Sequence, residues 1–331
     1  MTALPAASAR LRELVRARAF PASPRPDALE IARSLLASAG DSVQAIVFFG
    51  SRKTRAAPDP WSAYDFFVLV RGYREVYEAL RRAGHLGARA RLSAALNRVL
   101  PPNQLSLSGV DAAGSAWRAK CSVITLSRFL RETSPRRRDH FCLGRMFQPA
   151  EVLYAADRDV ADALLGALLQ ALLLTYDWSR PWLPTRFDVD EYCRTLLRVS
   201  LAQEIRPEPA GRAEILRAAQ QDELRPVYAT LLLDLAAAGE LRAEDGRFSA
   251  VRPPRRLERL RKRLYFRWSL LRATARWLKY TVTFEGWLDY LVHKAERHSG
   301  RAIALTPRER RLPLLFLWPR VIRYLREKEK G

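Results

Sequence analysis

Apolar residues in this chain gather into short runs separated by polar or Pro-containing stretches, and the spacing inside each run predicts its element. Residues 44–49 and 65–70 are almost continuously apolar and rich in Val and Phe, the pattern of strands buried on both faces. Residues 116–126 predict a third strand. Residues 74–82 and 90–100 carry helical spacing. Upstream, the Pro-containing stretch 21–26 breaks an N-terminal helical pattern before Asp27 and Glu30 open an amphipathic helix with an acid in its first turn. Residues 126–146 and 160–176 also predict helices, the second apolar on nearly every side, as in a helix buried between elements.

A second unit is expected from about Trp182. Residues 226–238 predict a helix ended by Gly239, and within 240–251 the pair Asp245-Gly246 sits between two short alternating runs, a strong hairpin signal. Helix followed by hairpin suggests a winged helix, which binds nucleic acid in some proteins and only packs in others. From Pro253 the chain turns basic and aromatic, with Arg267, Trp268, Arg272, Arg276, Trp277, Lys279 and Tyr280 on one long helix. Residues 312–330 interleave Leu314, Phe316, Trp318, Val321 and Tyr324 with Arg320, Arg323, Arg326 and Lys328. The expected fold class is α+β: a mixed sheet with helices over 1–180, a winged-helix-like helical unit over 181–255, and basic aromatic helices with a C-terminal amphipathic segment over 256–331.

Composition narrows the partners. The chain has 331 residues, enough for two cores, and a net charge of +22. Only seven of its 57 basic residues are Lys. Such an Arg surplus implies an anionic partner: a nucleotide triphosphate, an acidic membrane surface or nucleic acid. The three cysteines are widely spaced with no Cys-x-x-Cys pair, which fits a reducing compartment. The four histidines lack zinc-ligand spacing and are expected at the surface. No apolar run reaches the roughly eighteen residues of a membrane span, so no transmembrane helix is expected. The first 25 residues have the Arg-rich, acid-poor character of a transit peptide, but a general Arg and Ala bias explains them equally well.

The candidate chemistry lies where the first two strands meet. The first ends in Gly50-Ser51 and the second opens with Asp65. Gly lets backbone amides approach a triphosphate, Ser adds a hydroxyl donor, and a carboxylate on the neighbouring strand can hold Mg²⁺ against the same phosphates. Strand, Gly-Ser, loop and acidic strand is the signature of the nucleotidyltransferase superfamily, and a plain turn between two buried strands is the bland alternative. A second carboxylate is usual two residues after the first, on the same strand face. Here that position is Phe67, which leaves Asp59 and Asp111 as weak substitutes. Lys120, mid-strand in an apolar run, is expected to face phosphate rather than snorkel outward, and Arg145 after Gly144 to clamp phosphate or lie on a helix surface.

Taken in order, these segments resemble the mitochondrial-type phosphatidate cytidylyltransferases, the peripheral CDP-diacylglycerol synthases of the translocator assembly and maintenance family. The likeness covers roughly residues 40–285. It rests on Phe49-Gly50-Ser51 with Tyr64-Asp65-Phe66, on Lys120-Cys121-Ser122-Val123-Ile124, on Leu143-Gly144-Arg145 with Gln148-Pro149, and more loosely on Arg267, Arg272 and Arg276. The resemblance implies a transferase that moves CMP from CTP to phosphatidic acid with Mg²⁺ on Asp65. Gly50, Ser51, Lys120 and Arg145 would bind nucleotide, and Arg267, Arg272 and Arg276 the acceptor phosphate or lipid. The apolar and basic residues of 312–331 suit either an in-plane helix on an anionic membrane surface or a helix docked over the second unit's core, and the resemblance implies peripheral attachment to an inner membrane, from the cytoplasm or, alternatively, the mitochondrial matrix. Three departures stand out: Arg52 replaces the family's second Gly, Gln148 its Lys, and Arg71-Gly72 an acidic pair. They keep open an altered substrate, such as RNA or a small hydroxyl compound, and an inactive basic binding protein.

Overall fold

The computed structural model describes residues 6–54, 63–86, 90–110, 114, 116–202, 211–283, 303–311 and the single residues 288, 292, 296 and 316. It is a mixed α/β structure built on a five-stranded sheet. The strands are β1 (Val43–Phe49), β2 (Tyr64–Val70), β3 (Asn103–Val110), β4 (Ala116–Thr125) and β5 (Ala150–Ala155), in the order β3-β4-β2-β1-β5. All neighbours run antiparallel except β2 and β4. That parallel pair requires a crossover, supplied by helices α4 (Tyr73–Arg82) and α5 (Ala90–Val99) and by β3.

Both faces of the central strands are covered, which explains their unbroken apolar runs. Val47, Phe49, Phe67, Leu69 and Ile124 point to one side, where α1 (Ala9–Ala19), α8 (Arg158–Ser179), α9 (Val189–Leu201) and α10 (Arg212–Ala237) contribute to the larger core. Ile46, Phe48, Phe66, Val68 and Val123 point to the other, against α2 (Pro26–Ala39), α4 and α5. The larger core runs without a break past residue 180 through Phe187, Tyr192, Tyr228 and Phe248.

Strands 44–49, 65–70 and 116–126 are present as expected, while β3 and β5 are additions. In β3, Leu105 and Leu107 enter the second core and Gln104, Ser106 and Ser108 take the opposite face. The expected helix 126–146 divides. Helix α6 (Leu126–Glu132) stops at Thr133, whose hydroxyl donates to Phe129 O at 3.0 Å, and a turn segment leads to the short α7 (Leu143–Met146). Helix α10 begins fourteen positions earlier than Pro226, at Arg212, and carries that proline inside it. His140, expected at the surface, is 3% exposed, edge-on to Trp178 and Phe266. The hairpin β6 (Leu241–Glu244) and β7 (Arg247–Ala250) turns at Asp245-Gly246 with positive φ at both, as its sequence requires.

Among the described residues one helical stretch, Arg158–Trp182, is long and apolar enough to cross a membrane, and 67% of its apolar window is buried inside the protein. Its all-round hydrophobicity is used for packing between elements. Helix α11 (Arg256–Thr283) packs against β3 and α5.

A buried polar network fixes the turn between α5 and β3. Asn97 and Asn103 both donate to Tyr77 Oη, at 3.1 and 2.7 Å, and Asn97 Oδ1 accepts from the Asn103 amide at 2.9 Å. Buried networks of this kind favour one arrangement, because a different pairing would strand further polar groups; Asn103 Oδ1 is the one amide atom here with no hydrogen-bond partner among the described residues. The carbonyls of residues 100–102 are thereby presented to α11: Arg276 Nε donates to Pro101 O at 2.8 Å, and Lys279 Nζ donates to Pro102 O at 2.8 Å and to Leu100 O.

Candidate functional site

The site begins at the end of β1. After Phe49 the chain reverses at Gly50 with φ +88°, and a Cβ there would lie 2.6 Å from Asp65 Oδ2. Only Gly meets both conditions, because other residues resist this backbone region and would displace the carboxylate. Ser51 then opens the four-residue helix α3 (Ser51–Thr54). This helix is tied to distant parts of the chain: Lys53 pairs with Glu223 of α10 at 2.9 Å, and Arg25 Nη1 donates to Arg52 O at 2.5 Å.

Asp65 lies opposite Phe49 on β1 and opposite Lys120 on the parallel β4, while Lys120 faces Ser106 on β3. Strand alternation puts Asp65, Lys120 and Ser106 on one face of the sheet, and all three are half-buried. The row Phe49, Asp65, Lys120, Ser106 therefore crosses four strands, passing from an aromatic residue to an acid, a base and a hydroxyl. Gly50-Ser51, Asp65 and Lys120, from three separate stretches of sequence, come together on the three central strands of the sheet.

Phe67, where a second carboxylate would stand, is fully buried on the same face, stacked on Phe49 with centroids 4.9 Å apart and edge-on to Phe129 and Phe141. Asp59 and Asp111 lie outside the described residues. Among the described residues no group of three or more His, Cys, Asp or Glu is placed to hold a metal.

Phe141 links this face to the basic residues. The Arg145 guanidinium lies 3.8 Å from its ring centroid and that of Arg276 lies 4.8 Å away, while Arg145 Nη1 donates to Phe141 O at 2.8 Å. Gly144 permits α7 to sit close, since a Cβ there would meet His140 and Ser200 at 2.8 Å. Arg276 is 3% exposed and Asp139 1%. Arg272 and Arg276 both donate to Asp139 Oδ2, at 2.7 and 2.5 Å. Burial works to raise the Asp139 carboxyl, but the Arg276 charge and hydrogen bonds from both arginines overcome it and hold it below the usual range. Burial likewise opposes the Arg276 charge, and Asp139 more than restores it. One Arg276 nitrogen, Nη1, and the buried Tyr280 hydroxyl have no hydrogen-bond partner among the described residues. Arg267, by contrast, is exposed on the outer face of α11 and does not join this cluster.

Two of the residues that depart from the resembled pattern, Arg52 and Gln148, are also placed. Arg52 lies over the Tyr64 ring at 4.6 Å and donates to Tyr64 Oη at 3.3 Å, while that hydroxyl donates to Asp27 at 2.9 Å. Gln148 donates to Gly144 O at 2.9 Å and accepts from Gln220 at 3.2 Å. Sequence reasoning missed Ser106, Phe141 and Asp139. The Leu-Ser-Leu-Ser alternation of β3 was a usable signal for the first, whereas nothing local marks the other two. Compared with known proteins, the chain matches no protein-family model and no curated protein.

Proposed function

We propose that this protein is a nucleotidyltransferase that moves CMP from CTP to the phosphate of phosphatidic acid. The observation that carries the reading is the placement of Asp65 beside Lys120 in parallel register, directly against the Gly50 turn. An acid, a base and a glycine turn brought together on neighbouring central strands are what binding of a metal-bound triphosphate needs. The choice of CTP and of a lipid acceptor rests on the family resemblance.

The residues fit Mg²⁺ carried in on the nucleotide, because that ion is usually held by one or two carboxylates together with substrate phosphates, and Asp65 supplies one. When bound, the ion would neutralise charge building on the α-phosphate and the departing pyrophosphate. In this reading Gly50 and Ser51 cradle the phosphates, Lys120 holds them by charge, and Arg145 adds a second cation. A phosphate oxygen of phosphatidic acid attacks the α-phosphorus, the bond to the β-phosphate oxygen breaks, and pyrophosphate leaves with that electron pair. Catalysis then consists of positioning and charge stabilisation.

The test is to incubate the full chain with labelled CTP, Mg²⁺ and phosphatidic acid vesicles, with RNA in parallel. CDP-diacylglycerol and pyrophosphate are expected. Asp65→Asn should keep the fold and lose turnover, since the exchange is nearly isosteric and removes the charge. Wild-type turnover in Asp65→Asn, or label on RNA in place of lipid, would overturn the assignment. Buried Phe67 favours a second reading, a nucleotide-binding protein without transferase activity, and CTP binding with no transfer to any acceptor would establish it.

A further inference from the structure

Helix α11 presents two different faces. Its inner face carries Phe266, Ser269 and Arg276 into the protein. Its outer face carries five large apolar residues into solvent: Leu257 is 57% exposed, Leu260 52%, Leu264 53%, Trp268 51% and Leu271 59%. The intervals are three, four, four and three residues, so all five share one stripe along the helix. At about 1.5 Å per residue the stripe runs for about 20 Å. Single exposed leucines are ordinary on a protein surface, but a continuous stripe of five is not.

The charges beside the stripe point to its occupant. Arg256, Arg263 and Arg267 flank it on one side and Arg261 on the other, all exposed. Five apolar residues bordered by guanidinium groups, with Trp among them, have the composition of a helix lying in the plane of a lipid surface. The apolar stripe enters the headgroup boundary, Trp sits at headgroup depth, and the arginines pair with lipid phosphate. A docked protein helix would supply apolar surface but would not account for so one-signed a border, and a nucleic acid would leave the leucines wet.

We propose that the outer face of α11 is a docking surface for an anionic lipid membrane. This surface is made of residues other than 312–331, which apart from Phe316 lie outside the described residues, and the proposal stands whether or not the protein transfers CMP. It also gives α11 a geometric role, because the helix whose outer face meets lipid carries Arg276 to the Phe141 ring, which packs against Phe67 on the strand of Asp65.

The test is sedimentation of the full-length chain with phosphatidylcholine vesicles, with and without phosphatidic acid, over a series of salt concentrations. Wild type should sediment with the anionic vesicles and be released by salt. The triple variant Leu260→Ser, Leu264→Ser, Trp268→Ser, altered only at exposed positions, should lose at least about tenfold in vesicle affinity with an unchanged melting temperature. A second variant, Arg256→Gln, Arg263→Gln, Arg267→Gln, leaves the stripe intact and should weaken binding roughly fivefold per residue at low salt, with a shallower salt dependence.

If both variants sediment like wild type, or if only deletion of 312–331 releases the protein, the proposal fails. It fails equally if wild type ignores anionic vesicles, or if the stripe variant's effect is explained by disruption of a dimer seen in sedimentation velocity. CDP-diacylglycerol formation with detergent-solubilised substrate reports on the transferase reading alone, so the two can fail separately.

Discussion

Phe67 meets the edge of Phe141 with ring centroids 6.2 Å apart and planes at 86°. This pair occupies the ground where a second metal-binding carboxylate would have to stand, and it connects the strand bearing Asp65 to the ring that Arg145 and Arg276 cover. The position is filled by aromatic packing. Phe67→Asp should therefore not improve metal binding. It should cost about 3–5 kcal/mol in urea unfolding, through the cavity left and the charge buried. A folded variant with raised Mg²⁺-dependent turnover would show instead that the strand still accepts the missing acid.

Gly50→Ala should damage function more than stability explains. Its backbone conformation resists any side chain, at a cost of about 1–3 kcal/mol, and the added Cβ would also drive Asp65 Oδ2 from its place. Gly239 is a control, since it has φ +74° and nothing within 4 Å of a Cβ. Gly239→Ala should lose comparable stability and keep CTP turnover, while Gly50→Ala loses both. Equal turnover in the two variants would separate the turn from the chemistry.

Asp139→Ala leaves the buried Arg276 and the half-buried Arg272 without their counter-charge, which should cost about 3–5 kcal/mol. The acid side of the stability curve should report the same residue. A carboxyl held low in the folded state contributes stability that is full above about pH 4 and is lost as pH falls further. Chemical denaturation between about pH 5 and pH 3 should show that loss in wild type, and Asp139→Asn should flatten it. An equal slope in both proteins would move the acid sensitivity elsewhere.

Lys279 predicts the opposite limb. Burial, with the nearby charges of Arg276 and Arg272, pushes its ammonium down to about 6. Above that pH the unfolded chain binds a proton that the folded chain does not, so stability should rise with pH from about 6 to about 9, by up to about 1.4 kcal/mol per unit. Lys279→Met should remove most of that rise, as read from urea midpoints across this range. A rise that persists in the variant would assign it to another group.

The central strands were legible because two covered sheet faces demand unbroken apolar runs, and 44–49 and 65–70 supply them. The hairpin was legible from Asp245-Gly246, where the turn geometry leaves little choice. Strand β5 was not, since Glu151 interrupts its short apolar run, yet the residue is buried and accepts from the Arg25 amide at 3.2 Å. The segment after Thr133 misled for a related reason. Its periodicity is helical, but Asp139 and His140 are held by α11, where Ser269 accepts from the His140 amide and Arg276 reaches the carboxylate. At the site, Gly50, Ser51, Asp65 and Lys120 announced themselves by type and order. Phe141 and Asp139 matter only through partners that the chain brings back from the other end of the sequence, and no local pattern encodes that return.

The parallel pairing of β2 and β4 makes the nearness of Asp65 and Lys120 a question of parity. Within β4, removing one residue ahead of Lys120 would turn the ammonium to the side now taken by Cys121 and Val123, while removing two would return it to the face of Asp65, one step along. The connection between the strands obeys no such rule. The chain can therefore lengthen or shorten between β2 and β4 without disturbing the pair, but inside either strand only even steps preserve which side of the sheet the charges share.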